Sequence, residues 1–160
     1  MSLVERSIRT IKERTRCQIQ YLPYSKYRRN MIIGCVIFVI MNLNNEVGMS
    51  KLSTQYSPST LVTGKPQPTY QDVTTLAFRE YAEVYAANNV INNNEEQFIS
   101  AISLYPSGNS QNRWIFMSLN TGRFLHRQQW KKLPVSQDII KRVEELGNTE
   151  NQTYISSNFK

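Results

Sequence analysis

The sequence predicts an α+β protein, and three observations support this prediction. Residues 4–20 repeat their apolar side chains with the spacing of an amphipathic helix. An unbroken apolar run extends from Met31 to Met41. From Leu76 onward, short segments rich in aromatic and β-branched residues alternate with turn residues. We therefore expect two helices, then a small antiparallel sheet or half-open barrel, and finally a short helix.

The first predicted helix has an apolar side and a charged side. At about 100° per residue, one side carries Val4, Ile8, Ile11, Thr15 and Ile19. The neighbouring side carries Glu5, Arg9, Lys12 and Arg16. A carboxylate can bind a divalent metal, and a row of cations suits a phosphate backbone. The same pattern is also typical of a solvated basic face, in which a Glu–Arg pair four residues apart contributes only about 0.2–0.5 kcal/mol.

Positive charge is concentrated near the N-terminus. The 160-residue chain has 19 Lys and Arg, 12 Asp and Glu, and a formal net charge of +7. Eight of the basic residues and two of the acidic residues lie within the first 30 positions. This distribution favours a polyanionic partner, with nucleic acid ahead of anionic lipid.

The cysteine and histidine content argues against several chemistries. Cys17 and Cys35 form no zinc-binding pattern, and His126 is the only histidine, without a nucleophile motif around it. Two thiols are too few for a disulfide-rich secreted scaffold, so we expect an intracellular protein, with nucleus or cytoplasm unresolved. The length allows one domain or two very small ones.

The apolar run from Met31 to Met41 has 11 residues. A bilayer span needs about 20, and the run begins too late for a typical signal peptide, so membrane association is not favoured. Its β-branched residues suit a buried strand, whereas its length and the asparagines that follow suit a buried helix. We favour a helix that is buried on most of its surface.

The chain divides into four predicted regions. They are a helical segment (1–45), a polar linker (46–75), a β domain (76–135), and a C-terminal helix with a frayed tail (136–160). Within the linker, Ser57 and Pro58 predict the start of one or two helical turns that Gly64 ends. The predicted strands are 78–85, 98–105, 114–119 and 123–130, and Ser136 caps a helix over 137–146.

Several segments together resemble one family of sequences. They are Glu5-Arg-Ser-Ile-Arg-Thr-Ile-Lys-Glu-Arg-Thr-Arg16, Leu22-Pro-Tyr24, Ser57-Pro58, Leu61-Val-Thr-Gly64, Ala77-Phe-Arg-Glu-Tyr-Ala-Glu-Val-Tyr85, Ala101-Ile-Ser-Leu-Tyr-Pro-Ser-Gly-Asn109, Asn120-Thr-Gly-Arg-Phe-Leu-His-Arg-Gln-Gln-Trp130 and Leu133-Pro134. In this order they resemble a copia-type retrotransposon polyprotein, from the end of the integrase towards the reverse transcriptase. The resemblance covers roughly residues 3–146 and rests on the ordered series rather than on one motif.

The resemblance implies that residues 1–45 are the remnant of an RNase H-like integrase core and that the strands form a small SH3-like barrel. In such cores two Asp and one Glu bind a divalent metal such as Mg²⁺, and the Glu opens a helix that contacts DNA. Glu5 matches that position. Only four residues precede Glu5, and Asp72 and Asp138 lie downstream and do not match the motif. We therefore expect a truncated fragment with a vestigial Glu5, no cofactor of its own, and no independent integrase activity.

One further departure concerns the backbone. The family tends to carry a glycine at the position of Arg79, directly after the matched Phe78.

The first functional hypothesis is non-specific binding of DNA, with DNA integration only in the context of the full polyprotein. Intact integrase is a further expected partner, and the run from Met31 to Met41, expected to lack its natural cover, predicts self-association. The proposed phosphate-binding residues are Arg6, Arg9, Lys12, Arg16, Arg28, Arg29, Arg123, Arg127, Lys131 and Lys132.

The alternative hypothesis is a small protein-interaction module built on the β domain. Its binding groove would use Trp114, Phe116, Phe124 and Trp130. These aromatic residues more simply fill the core of a small barrel. Similarly, His126 more simply lies on a strand surface, and the cations between 123 and 132 more simply protect a sheet edge.

Overall fold

A computed structural model describes residues 2–48, 53–67, 75–86, 97–108 and 112–150. Within these ranges the protein is α+β, as predicted: helices come first, then a five-stranded antiparallel sheet, then a C-terminal helix. The helices are α1 (Leu3–Gln20), α2 (Arg29–Asn45), α3 (Pro58–Thr63) and α4 (Gln137–Asn148). The strands are β1 (Tyr81–Tyr85), β2 (Phe98–Pro106), β3 (Trp114–Ser118), β4 (Phe124–Arg127) and β5 (Trp130–Lys132).

Some predictions fall outside the described residues. They include the loop over 88–96, part of the predicted linker (49–52 and 68–74), the end of the turn after Pro106, and the tail over 151–160.

The short helix α3 has the predicted ends. The Ser57 hydroxyl accepts a hydrogen bond from the Thr60 amide at 3.3 Å, and Pro58 occupies the first helical position. Gly64 ends the helix in the left-handed region, with φ of +67°. Local sequence chemistry is therefore sufficient to place this element.

The predicted end of α4 was wrong. We expected Gly147 to stop the helix after Leu146, but α4 continues to Asn148. Gly147 instead lets α4 lie against the backbone at Tyr27, because a Cβ atom at Gly147 would lie 2.7 Å from the backbone nitrogen of Tyr27. The glycine allows α4 to pack directly on the connection between α1 and α2.

The apolar run forms a helix, as favoured. Met31, Gly34, Cys35 and Val39 of α2 are buried. The packing on the sheet is close, because a Cβ atom at Gly34 would lie 3.0 Å from the Cβ of Leu104 in β2. The expectation that this run lacks cover was wrong, since the sheet covers it. Self-association through the run stays a prediction.

The sheet has the strand order β4-β3-β2-β1-β5, with every neighbouring pair antiparallel. The single strand predicted over 123–130 is in fact two strands, β4 and β5, at opposite edges of the sheet. A flat five-stranded sheet would separate its edges by about 19 Å, whereas three residue steps span at most about 11 Å. The sheet must therefore curl so that its two edges approach each other.

Side chains pack on both faces of this curled sheet. The outer face packs against α2 and α4, and its buried cluster includes Met31, Ile102, Leu104, Met117 and Val143. The inner face holds a second buried cluster, which is composed of Leu76, Ala82, Val84, Ala101, Trp114 and Phe116, with Trp130 packed against it. The first of these two buried clusters is therefore formed by the helices and the outer face of the sheet together.

β1 begins later than predicted because the chain bulges before it. The Ser103 hydroxyl donates to the Ala77 carbonyl at 2.5 Å and accepts from the Glu80 amide at 2.9 Å. Between them Arg79 has φ of +73°, in the left-handed region that favours glycine. The fold therefore requires a glycine-like backbone at Arg79.

Candidate nucleic-acid interface

The first half of α1 is exposed to solvent. Residues 2–9 are all exposed, and Val4 and Ile8 keep 67% and 47% of their surface. Thr15 is buried, so the predicted apolar side packs only in its second half. An ion pair of 3.3 Å between Arg14 and Glu46 places Arg14 near the end of α2, and the exposed residues 2–9 lie further towards the start of α1. The apolar side of an amphipathic helix is expected to pack on a core, and this expectation is wrong for Val4 and Ile8.

The charged side of α1 forms an open groove on the surface. Its lining residues are Glu5, Ile8, Arg9, Lys12, Glu13 and Arg16. The structure thus brings together the four charged residues that the sequence placed on one helix side. Arg9 pairs with Glu13 at 2.8 Å, and this hydrogen bond and charge raise the pKa of Arg9. Three cations against two carboxylates leave the groove positive, which suits phosphate.

Glu5 has a structural role that the sequence reasoning missed. Its carboxylate accepts a hydrogen bond from the Ser2 amide at 2.8 Å, while the Ser2 hydroxyl accepts from the Glu5 amide at 3.2 Å. This reciprocal capping box satisfies two backbone groups at the start of α1. The Ser-x-x-Glu spacing was a readable signal for it. The negative charge also complements the positive end of the helix dipole.

The metal expected in an intact integrase has no complete ligand set in the described part of the chain. Among the described residues, no group of three His, Cys, Asp or Glu side chains could hold a metal ion. Asp138 lies in the first turn of α4, and Asp72 lies outside the described residues.

The structure withdraws Arg28 from the predicted phosphate-binding surface. Its side chain forms an ion pair with Glu150 and donates to the Thr121 carbonyl at 2.9 Å. The backbone nitrogen of Arg29 donates to Glu150 at 3.0 Å, while the Arg29 side chain stays exposed. Burial raises the pKa of Glu150, but the hydrogen bonds and charges of Arg28 and Arg29 outweigh it and lower that pKa overall.

Arg28 belongs to a network that clamps the turn between β3 and β4. All four carbonyls of residues 119–122 accept hydrogen bonds from side chains of α4, of α2 or of the residue before α2. The bonds are Arg142 Nε to Leu119 (2.9 Å), Arg142 Nη2 to Asn120 (3.2 Å), Arg28 Nη1 to Thr121 (2.9 Å) and Asn30 Nδ2 to Gly122 (3.0 Å). Because the partners lie 22 or more residues apart, no local sequence signal could have shown this network.

α4 also clamps the connection that precedes α2. Glu144 accepts hydrogen bonds from the amide and the hydroxyl of Ser25, at 2.8 and 2.6 Å. These two bonds lower the pKa of Glu144, the hydroxyl contributing most. Lys26 donates to the Asn148 side chain at 2.8 Å. Several charges at this end of the molecule are therefore bonded within the fold.

The four predicted cations on the sheet differ in their surroundings. Arg127 donates to the carbonyls of Tyr85 (2.7 Å) and His126 (2.8 Å), and Lys132 pairs with Glu80 at 2.5 Å. Arg123 and Lys131 are exposed. Arg123 directly precedes β4 and Lys131 lies in β5, and these two strands form the opposite edges of the sheet.

The aromatic groove of the alternative hypothesis is largely core. Trp114 and Phe116 are 2% and 0% exposed and pack on Trp130, with ring centroids 6.3 and 5.8 Å from it. Phe124, in contrast, is 38% exposed. Two of the four proposed groove residues are therefore inaccessible to a partner.

Comparison with known proteins found no match among protein-family models, curated proteins or solved structures. None of the helices in the described ranges has both the length and the apolar character needed to cross a bilayer.

Proposed function

We propose that this chain is an integrase-related retroelement fragment that binds DNA non-specifically through α1. The observation that carries the proposal is the open groove on α1, where Arg9, Lys12 and Arg16 lie together on an exposed helix face. Arg6 is exposed on the same helix, one residue step from Glu5. An exposed row of cations on a rigid helix can follow a line of phosphates without reading bases.

The finer architecture belongs to the same proposal. α1 and α2 correspond to the end of an RNase H-like core, and the curled sheet corresponds to a small SH3-like barrel. Two features support this assignment: strands at opposite edges joined by two residues, and the left-handed backbone at Arg79 where the family tends to carry glycine. DNA integration would then require the full polyprotein, in which two further carboxylates join Glu5 around Mg²⁺.

Salt dependence of duplex binding tests the proposal. Each phosphate contact contributes about −0.9 to the slope of log K against log salt. With Arg6, Arg9, Lys12 and Arg16 in contact, affinity for duplex DNA should fall on the order of 100-fold between 50 and 200 mM salt. Fluorescence anisotropy with a labelled duplex of mixed sequence measures this slope.

A charge-matched pair of variants locates the site. Arg9→Glu, Lys12→Glu and Arg16→Glu together should abolish duplex binding. The control reverses Lys65, Arg113 and Lys141, which are also exposed but lie outside the proposed surface. It changes net charge by the same amount and should keep most of the affinity. Equal loss in both variants, or binding that ignores salt, would refute the proposal.

A further inference from the structure

An exposed aromatic pair lies at one end of the β1–β2 hairpin. Tyr85 and Phe98 are directly opposite each other in the strand register, with ring centroids 4.8 Å apart and an interplanar angle of 63°. They remain 45% and 43% exposed. Cross-strand aromatic pairs stabilise a sheet by about 0.2–1 kcal/mol, yet this pair leaves almost half of each ring in water.

The surroundings of the pair set it apart from the core on the same face. On the same face of the sheet, the next register pair is Glu83 and Ser100, which is polar and half-buried. The pair after it on this face, Tyr81 and Ile102, belongs to the core that the helices cover. Among the described residues, the aromatic pair is therefore an apolar patch that a polar strip separates from the core. Its rings do not extend the hydrophobic core.

A fixed positive charge lies beside this patch. The Arg127 guanidinium reaches across the seam of the curled sheet and donates to the Tyr85 carbonyl at 2.7 Å. A second bond, to the His126 carbonyl at 2.8 Å, holds the same group in place. Both partners are neutral carbonyls, so these two bonds leave the positive charge of Arg127 uncompensated. Lys131 on β5 is exposed and lies opposite the carboxylate-bearing Glu83 in the strand register.

We propose that Tyr85 and Phe98 form a stacking platform for the unpaired bases of single-stranded nucleic acid, with Arg127 holding an adjacent phosphate. Aromatic rings accept any base, because every base has a π face, and a neighbouring cation compensates the backbone charge. The net charge of +7 complements the same ligand. The inference rests on the proposed function for the class of ligand, and it adds a second, base-contacting surface to the phosphate-binding face of α1.

Binding of short single strands tests the platform. Anisotropy would be measured with labelled oligothymidine and oligouridine of about 15 nucleotides, a length within the range that small β domains bind. The double variant Tyr85→Leu, Phe98→Leu keeps apolar bulk and removes the stacking surface. We expect it to bind either strand about 5- to 100-fold more weakly. Both residues are largely exposed, and an unchanged thermal unfolding curve confirms that the variant is folded.

The matched control is Phe124→Leu, which removes an exposed aromatic ring from β4. It should leave single-strand affinity unchanged. Equal affinity of the Tyr85/Phe98 double variant and the unaltered protein would overturn the platform, as would equal weakening by the control. Absence of oligonucleotide binding in the unaltered protein would also overturn it and would leave the patch as a protein contact. Tighter binding of oligothymidine than of oligouridine would identify the ligand as DNA, and the reverse preference would identify it as RNA.

Duplex binding separates this inference from the proposed function. The Tyr85/Phe98 double variant should keep duplex affinity, because paired bases are not available for stacking. The α1 charge-reversal variant should lose it. If the unaltered protein ignores duplex DNA but binds single strands in a way that needs Tyr85 and Phe98, the proposed function fails and the platform stands. If the α1 charge-reversal variant loses duplex binding and the Tyr85/Phe98 double variant keeps single-strand binding, the platform fails and the proposed function stands.

Discussion

The two ends of the helical layer use the same kinds of residue for different purposes. Along α1, Arg9, Lys12 and Arg16 lie together on an exposed helix face. At the other end, Arg28 and Arg142 are bonded to carbonyls of the β3–β4 turn, and Glu144 and Glu150 bind the chain before and at the start of α2. A basic side chain therefore lies on an open helix face or holds distant parts of the chain together, according to what the fold places beside it.

The largest expected effect tests the close contact between α4 and the α1–α2 connection. Gly147→Ala would place a Cβ atom 2.7 Å from the Tyr27 nitrogen and 3.0 Å from the Tyr27 Cα, both backbone atoms. Backbone cannot move aside as a flexible side chain can, so we expect a loss of about 2–4 kcal/mol in unfolding free energy. Urea denaturation measures it. An unchanged midpoint would show that α4 does not pack as described.

The next effect tests the arginine clamp on the turn. Arg28→Ala removes the bond to Thr121 and leaves Glu150 without its charged partner, so we expect a loss of about 2–3 kcal/mol. Arg29→Ala is the control, because its hydrogen bond to Glu150 comes from the backbone and its exposed side chain acts on Glu150 only through its charge, so it should change stability by less than about 0.5 kcal/mol. Equal effects in the two variants would contradict the distinction between clamped and exposed cations.

A stabilising change tests the backbone at the bulge before β1. Arg79 has φ of +73°, and its Nη1 is buried with no hydrogen-bond partner in the described part of the chain. Arg79→Gly relieves the left-handed strain and removes the unpaired nitrogen, at some cost in unfolded-chain entropy. We expect a gain of about 1 kcal/mol, which raises Tm by roughly 2–4 °C.

The control for this change is Arg123→Gly. Arg123 is exposed and is not among the residues with positive φ. Glycine there relieves no strain, so it should lower Tm slightly or leave it unchanged. A gain of equal size at both positions would show that the conformation of Arg79 is not the cause.

The dependence of stability on pH tests the carboxylates at the clamped end. The pKa values of Glu144 and Glu150 are lowered from 4.5 in the folded protein. Their stabilisation is therefore fully present above the unfolded pKa of 4.5 and is lost as pH falls through the lower folded values. Unfolding midpoints measured from pH 6 down to pH 3 should decrease, and the variant Glu144→Gln, Glu150→Gln should show a flatter profile. Identical profiles would refute the assigned contacts.

The smallest expected effect is on the exposed end. Replacing Lys12 by Ala should change unfolding free energy by less than about 0.5 kcal/mol, because its side chain is exposed on an isolated helix surface. Thermal unfolding measures this change, and the same variant should weaken duplex binding. A large destabilisation would show that Lys12, like Arg28, is bonded within the fold.

Structural features that depend on a few neighbouring residues could be predicted from the sequence. The helical period of residues 4–20, the cap and stop around α3 and the cap at Ser136 predicted the helices. The Ser2–Glu5 capping box was equally readable, although it was overlooked. The charged side of α1 was predicted from the same period, because helix geometry alone determines which side chains share a face. Strand positions were predicted less well, since the single strand predicted over 123–130 is two strands, β4 and β5.

By itself, then, the sequence determined the α+β order, the starts of α3 and α4 and the charged face of α1, because these depend on spacing and on neighbouring residues. Tertiary structure alone decided which cations hold distant parts of the chain together. Arg28 and Arg142 are taken up by a turn that lies far away in the chain, and Val4 and Ile8 are exposed. The sheet alone decided that the run from Met31 is covered and that Trp114 and Phe116 are core. Long-range packing sets these outcomes, and a linear pattern does not record which distant groups meet.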